Sequence, residues 1–202
     1  MRSDVTTTVN AAAYLDAEMA EHMAVAARTR ESVAAEFSRV VAACARALAS
    51  GHKLLLFGNG GAAAAAQHIA TELVVRYSRE SGSRPALPAV ALTTDTSALT
   101  AIGNDFGFDD LYARQIEALC QAGDVAIGIS TSGTSENVIR GLKAARAVGA
   151  VTIGFAGEGG GRLAEVVDHG LFVPSASTAR VQEMHMVLGH ALCALLEKGL
   201  AR

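Results

Sequence analysis

Five short apolar runs, each bounded by turn-forming residues and separated by alanine-rich stretches, restrict what this chain of 202 residues can fold into more than any other feature. They are residues 53–57 (KLLLF), 88–92, 124–129, 150–155 and 170–173. Each has the length of a strand, and none shows the strict apolar–polar alternation of a sheet with one wet face. The stretches between most of them are rich in Ala and read as helices. Strands buried on both faces and joined by helices imply an α/β fold, a doubly wound parallel sheet covered on both sides. Residues 179–200 close the chain as one long helix. The length suits one structural unit, with no internal repeat and no separate second domain. Residues 1–50 read as N-terminal helices for association, and residues 51–202 as the sheet domain with its closing helix.

Residues 9–50 contain no Pro and no Gly, and Ala, Glu, Met and Arg dominate. Leu15, Met19 and Met23 recur at helical spacing, as do Val33, Phe37, Val40 and Val41. The pattern predicts two helices with a break near residues 29–31, an N-terminal helical hairpin. Its apolar surface exceeds what one small sheet can cover, which predicts a homo-oligomer, most simply a tetramer. Residues 78–88 (SRESGSRPALP) form a polar loop containing Gly and Pro.

Half of the residues are hydrophobic, 18% are charged, and the formal net charge is −3. Such a balance gives no electrostatic reason to bind nucleic acid or an anionic membrane. Residues 1–10 are polar and lack the apolar core of a signal peptide, and no apolar run is long enough to span a bilayer. A cytoplasmic location is expected. Cys44, Cys120 and Cys193 are scattered and odd in number, so they read as reduced core thiols.

Two turns follow apolar strands and open helices. The first is Gly58-Asn59-Gly60-Gly61, and the second is Ser130-Thr131-Ser132-Gly133-Thr134-Ser135. In an open parallel sheet, ligands lie beyond the carboxyl ends of the strands. Free N–H groups and the helix dipole favour an anion there, and the hydroxyls add uncharged donors. The second turn also reads as an ordinary N-cap. It is not a Walker loop, since no Gly-Lys-Ser/Thr follows.

His68 and Glu72 are four residues apart in an expected helix, hence on one face. Together they can bind a divalent metal, position a base, or simply form a surface pair. The last helix carries Gln182, His185 and His190. Gln182 and His190 are separated by about 12 Å along that axis and about 80° around it. They share a broad face, and His190 leans toward the helix N-terminus. His185 reads as structural or surface.

Taken together, these motifs resemble the sugar isomerase (SIS) family, specifically its phosphoheptose isomerase group. The resemblance runs from about Ala35 to Leu196. It is densest in GNGG with QHIATEL, ALTTDTSALTAIGNDFGF, GDVAIGISTSGTSENV and STARVQEMHMVLGHALC. It implies a five-stranded parallel sheet in a flavodoxin-like sandwich, a homotetramer, and active sites at subunit contacts. It implies an aldose–ketose isomerase acting on a sugar phosphate, sedoheptulose 7-phosphate, through an enediol. Carried over by position, Asn59, Gly60 and Gly61 match the first substrate loop. Asn104 and Asp105 match a further substrate-contacting pair. Ser130, Thr131, Ser132 and Ser135 match the phosphate cradle. His68, Glu72, Gln182 and His190 match the ligands of one zinc per subunit. Gln182 and Glu72 also match substrate contacts, and Glu72 and His190 the catalytic base and acid.

The chain departs from the family pattern GNGGSAADAQH, reading GNGGAAAAAQH, so Ala62 and Ala65 stand where a serine and an aspartate are usual. This is drift into a good helix former, or a reshaped pocket for a different sugar phosphate. A non-catalytic branch of the fold associates with the replication initiator DnaA and lacks equivalents of Glu72 and His190, both present here. A sugar-sensing regulator would need a DNA-binding domain for which the length leaves no room.

Overall fold

The computed structural model describes residues 10–79 and 84–200. Residue 9 of the expected first helix and residues 80–83 of the expected loop lie outside them.

Five strands form one all-parallel sheet: β1 (Leu54–Gly58), β2 (Ala89–Ala91), β3 (Val125–Ser130), β4 (Val151–Ala156) and β5 (His169–Phe172). Their spatial order is β2-β1-β3-β4-β5. Leu54, Leu55 and Leu56 of β1 pair with Ala89, Val90 and Ala91 on one side, and with Val125, Ala126 and Ile127 on the other. All five apolar runs are therefore strands, within a residue or two of the expected bounds. The chain begins in the middle of the sheet, runs outward to β2, then crosses back over β1 to place β3. That reversal opens a crevice beyond the carboxyl ends of β1 and β3.

Successive side chains on a strand point to opposite faces, so each strand feeds two cores. Leu54 and Leu56 pack with Ile127, Ile129, Ile153 and Phe155 beneath α1 (Ala11–Ala49), α2 (Gly61–Val74) and α6 (Thr178–Leu200). Leu55 and Phe57 pack with Ala126, Val138 and Leu142 beneath α4 (Ala113–Leu119) and α5 (Glu136–Val148). Phe57 and Phe155 are wholly buried, each contributing roughly 1.5–3 kcal/mol of apolar transfer. A further helix, α3 (Thr96–Asp105), has no buried residue.

The expected hairpin is not formed. Residues 11–49 make a single helix of 39 residues, capped by the Asn10 side chain, which accepts from Ala13 N at 3.1 Å. The expected break at residues 29–31 is absent. Thr29 is buried and donates its hydroxyl to the Val25 carbonyl at 2.8 Å, so its polar group is satisfied inside the helix. Arg and Glu beside it are good helix formers, and neither Gly nor Pro interrupts the ladder. The second half of α1 enters the core through Val33, Val40, Cys44 and Leu48, while Tyr14, Leu15, Met19 and Met23 in the first half stay exposed. All three cysteines are free and buried, and burial pushes the Cys44 and Cys193 thiols up to about 12.

Candidate active site

The first turn ends β1 and starts α2 at the crevice. Gly60 takes φ 56° to reverse the chain without a side-chain cap. A Cβ at Gly61 would sit 2.6 Å from Gln182 Nε2, because α6 lays that amide across the turn, so the glutamine would have to swing aside for a larger residue. The Asn59 side chain makes a reciprocal amide pair with Asn137 on α5, at 2.8 and 2.9 Å. Tyr112 donates its hydroxyl to the Gly58 carbonyl and lies 3.1 Å from Asn59 Oδ1. Burial pushes the Tyr112 phenol up to about 12, so it remains a donor. Asn59 thus acts as a strut between the two turns.

The second turn follows β3. Ser130 is buried and its Oγ lies 3.0 Å from Ser135 Oγ. Ser132 Oγ lies 2.9 Å from Thr134 Oγ1 and accepts from Thr134 N. The Thr131 carbonyl accepts from Gly157 N at 3.0 Å, which ties the turn to the loop after β4. Ser135 stands at the N-cap of α5 but makes no side-chain cap bond. The capping role that the sequence allowed is therefore not used. The hydroxyls face one another at the start of a helix, a setting that suits an anion.

Two helices meet above this crevice. On α2, His68 Nε2 lies 3.4 Å from Glu72 Oε1, one helical turn away. On α6, His190 Nε2 lies 2.8 Å from His68 Nε2, and their rings meet edge to face. One ring must donate and the other accept. Gly189 permits this approach: a Cβ there would come within 2.6 Å of Ile69 Cδ1 on α2. Tyr77, just beyond α2, places its ring 5.8 Å from that of His190.

A cleft of about 590 Å³ opens beside these groups. Gly61, His68 and Gln182 line it, and so do Ala62 and Ala65. The two departures from the family pattern therefore give the cleft an apolar wall. His185 also lines it and is 1% exposed. Its Nε2 lies 3.2 Å from the Ala156 carbonyl, and burial pushes its pKa down to about 4. This agrees with a structural His185, placed in the core rather than at the surface. Asn104 and Asp105 do not line this cleft; they are hydrogen-bonded to each other at 2.7 Å on the exposed end of α3.

Zinc ligation by His68, Glu72, Gln182 and His190 is consistent with the donor types, two imidazoles, a carboxylate and an amide. Among the described residues, however, no three His, Cys, Asp or Glu side chains form a group that could hold a metal. Two nitrogens on one tetrahedral zinc lie about 3.3 Å apart, so the imidazoles must part by roughly half an ångström to share an ion.

Sequence reasoning missed Asn137, Tyr112, Arg84 and Glu197. Glu197 is 1% exposed on α6 and pairs with Arg84 at 2.7 Å. Asn137 lies two residues after the STSGTS turn, and that proximity was its one available signal.

A profile of the SIS domain matches residues 19–157. The phosphoheptose isomerase of Paramagnetospirillum magneticum is 54% identical over 186 residues, covering 92% of this chain and 95% of that protein. That of Aquifex aeolicus is 57% identical over 168 residues, covering 83% and 86%. Among solved structures, phosphoheptose isomerase GmhA from Neisseria gonorrhoeae matches with a TM-score of 0.85 at 41% identity, covering 92% of this chain and 97% of that one.

Proposed function

Because the chain belongs to the phosphoheptose isomerase family of SIS-domain proteins, we propose that it converts sedoheptulose 7-phosphate to D-glycero-D-manno-heptose 7-phosphate. The observation that carries this reading is the meeting of Glu72 and His190, from two different helices, through His68 beside the cleft.

The reaction moves a proton between C1 and C2 through an enediol. Glu72 takes the carbon-bound proton from C1 and returns it to C2. His190 moves the oxygen-bound proton between the two oxygens. Each such group typically contributes about 10²–10⁴-fold. The phosphate rests on the turn of Ser130, Thr131, Ser132 and Ser135, where uncharged hydroxyls and the α5 N-terminus bind an anion. Gly60 and Gly61 let the sugar approach the backbone, and Asn59 holds the two turns in register. Gln182 lies across the first turn to meet the sugar. Asn104 and Asp105 serve as a further substrate-contacting pair.

Zinc held by His68, Glu72, Gln182 and His190 would stabilise negative charge developing on the enediolate oxygens. Glu72 cannot ligate tightly and act as a free base at once, so one role dominates during turnover.

A homotetramer is the proposed assembly. Its support is the exposed run of Tyr14, Leu15, Met19 and Met23 on α1, an apolar stripe of the kind that monomers rarely leave uncovered. Among the described residues no helix is long and apolar enough to cross a membrane, and a cytoplasmic site of action is proposed. The apolar wall of Ala62 and Ala65 favours one alternative, an isomerase for another sugar phosphate. Incubation with sedoheptulose 7-phosphate, followed by NMR, tests the reading. The heptose aldose phosphate is expected; no conversion, with turnover of a different ketose phosphate, would favour the alternative.

A further inference from the structure

We propose that Arg84 and Glu197 are positioning residues for Glu72 and His190, a role that rests on the isomerase reading above. Glu72 occupies the last turn of α2, where carbonyls lack partners within the helix and the backbone tends to fray. Two of those carbonyls are met by nearby amides: Thr71 O accepts from Val75 N, and Leu73 O from Leu87 N. The carbonyl of Glu72 itself accepts from Arg84 Nη2 at 2.8 Å. A guanidinium at this end also suits the helix dipole.

Glu197 holds that guanidinium in place. Its carboxylate accepts from Arg84 Nε at 2.7 Å, and both side chains are 2% exposed. The same carboxylate accepts the backbone N–H groups of Tyr77 at 2.8 Å and Ser78 at 3.0 Å, turning the chain as it leaves α2. Tyr77 in turn packs its ring against His190. Glu197 follows His190 by seven residues on α6, about two helical turns along nearly the same face. A single buried ion pair therefore fixes the turn that carries the base and the ring that packs on the acid.

Buried ion pairs are often no more stabilising than apolar residues of similar volume. Stability alone thus gives little reason for this pair, whereas a proton-transfer site needs its groups held within about 0.5 Å.

The test is the double variant Arg84→Met with Glu197→Gln. It removes both charges together, so no unpaired ion is buried, and the glutamine oxygen can still accept from the backbone amides. Either single substitution risks misfolding by stranding a buried charge. We expect a melting temperature close to the parent's and a KM for sedoheptulose 7-phosphate within about threefold, since the phosphate turn is untouched. We expect kcat to fall by about tenfold or more, on the scale of a misplaced catalytic group. Amide exchange at Leu73, Val74 and Val75 should quicken. A folded double variant with kcat within about twofold of the parent overturns the positioning role alone. So does a loss of kcat that tracks a fall in melting temperature and recovers on cooling, since that pattern marks a purely structural pair. A parent protein inactive on this sugar and on other ketose phosphates overturns the isomerase reading, and the positioning role with it.

Discussion

Replacing Gly189 by alanine tests whether the close approach of α2 and α6 builds the site. The added Cβ would lie 2.6 Å from Ile69 Cδ1 and 2.9 Å from Ile69 Cγ1. Carbon atoms rest comfortably at about 3.5–4.0 Å, so something must move by roughly 1 Å. Cδ1 is a chain end and could swing away, but Cγ1 sits on a β-branched carbon with little χ1 freedom in a helix. Ile69 is also 1% exposed, within the core. Overpacking of this kind costs about 1–3 kcal/mol, and exchanging Gly for Ala inside a helix returns about 0.8–1 kcal/mol. The net change is a loss of roughly 0–2 kcal/mol, a fall in melting temperature of no more than about 8 °C for a domain of this size. The effect on catalysis should be larger. His190 is the next residue, and its 2.8 Å approach to His68 depends on that helix spacing. A misplacement of about 1 Å can cost about 10²-fold in rate. The assay pairs thermal melting with initial rates on sedoheptulose 7-phosphate. Ile69→Val on the same background removes the closer clash and should return part of the activity. A Gly189→Ala protein that melts at or above the parent temperature and keeps kcat within about twofold would refute the reasoning.

Ser130→Ala combined with Ser132→Ala should raise KM strongly, because the hydroxyls of that turn meet the phosphate; an unchanged KM for a phosphorylated ketose would contradict the cradle. His185 has a folded pKa of about 4, below its ordinary 6.5, because burial disfavours its charged form. The unfolded chain therefore binds the extra proton first, and stability is full above pH about 6.5 and lost as pH falls toward 4. The loss amounts to roughly 3 kcal/mol, and His185→Phe should flatten that limb in urea melts taken across the pH range. Light scattering at micromolar concentration should give the mass of a tetramer, and a monomer would contradict assembly through α1.

Much of this fold is legible in local pattern. The five strands stand out because each is short, apolar and stopped by Gly, Ser or Pro, and their burial on both faces removes polar alternation. The continuity of the first helix is less legible. Thr29 and its charged neighbours resemble a loop, but a hydroxyl can satisfy itself on the carbonyl one turn back. The candidate site divides in the same way. His68 and Glu72 share a helix face by spacing alone. The meeting of His68 with His190 crosses 122 residues of chain and depends on how two helices pack. Glu197 is the extreme case. In the run ALLEKGL it reads as a solvated residue near a helix end, yet it is buried, with partners 113 to 120 residues away. Side chains that answer to distant partners carry no periodic signal. Asn137 and Tyr112 escaped notice for that reason too.

Isomerisation of sedoheptulose 7-phosphate in D2O, followed by NMR, asks directly whether Glu72 carries a proton between C1 and C2. A carboxylate that takes the C1 proton can exchange it with solvent before delivery, so deuterium should appear at C2 of the aldose phosphate. Glu72→Gln should melt near the parent temperature and lose about 10²–10⁴-fold of the rate. A folded Glu72→Gln protein within about tenfold of the parent rate, or one that places deuterium at C2 as fast as the parent, would contradict proton transfer by this residue.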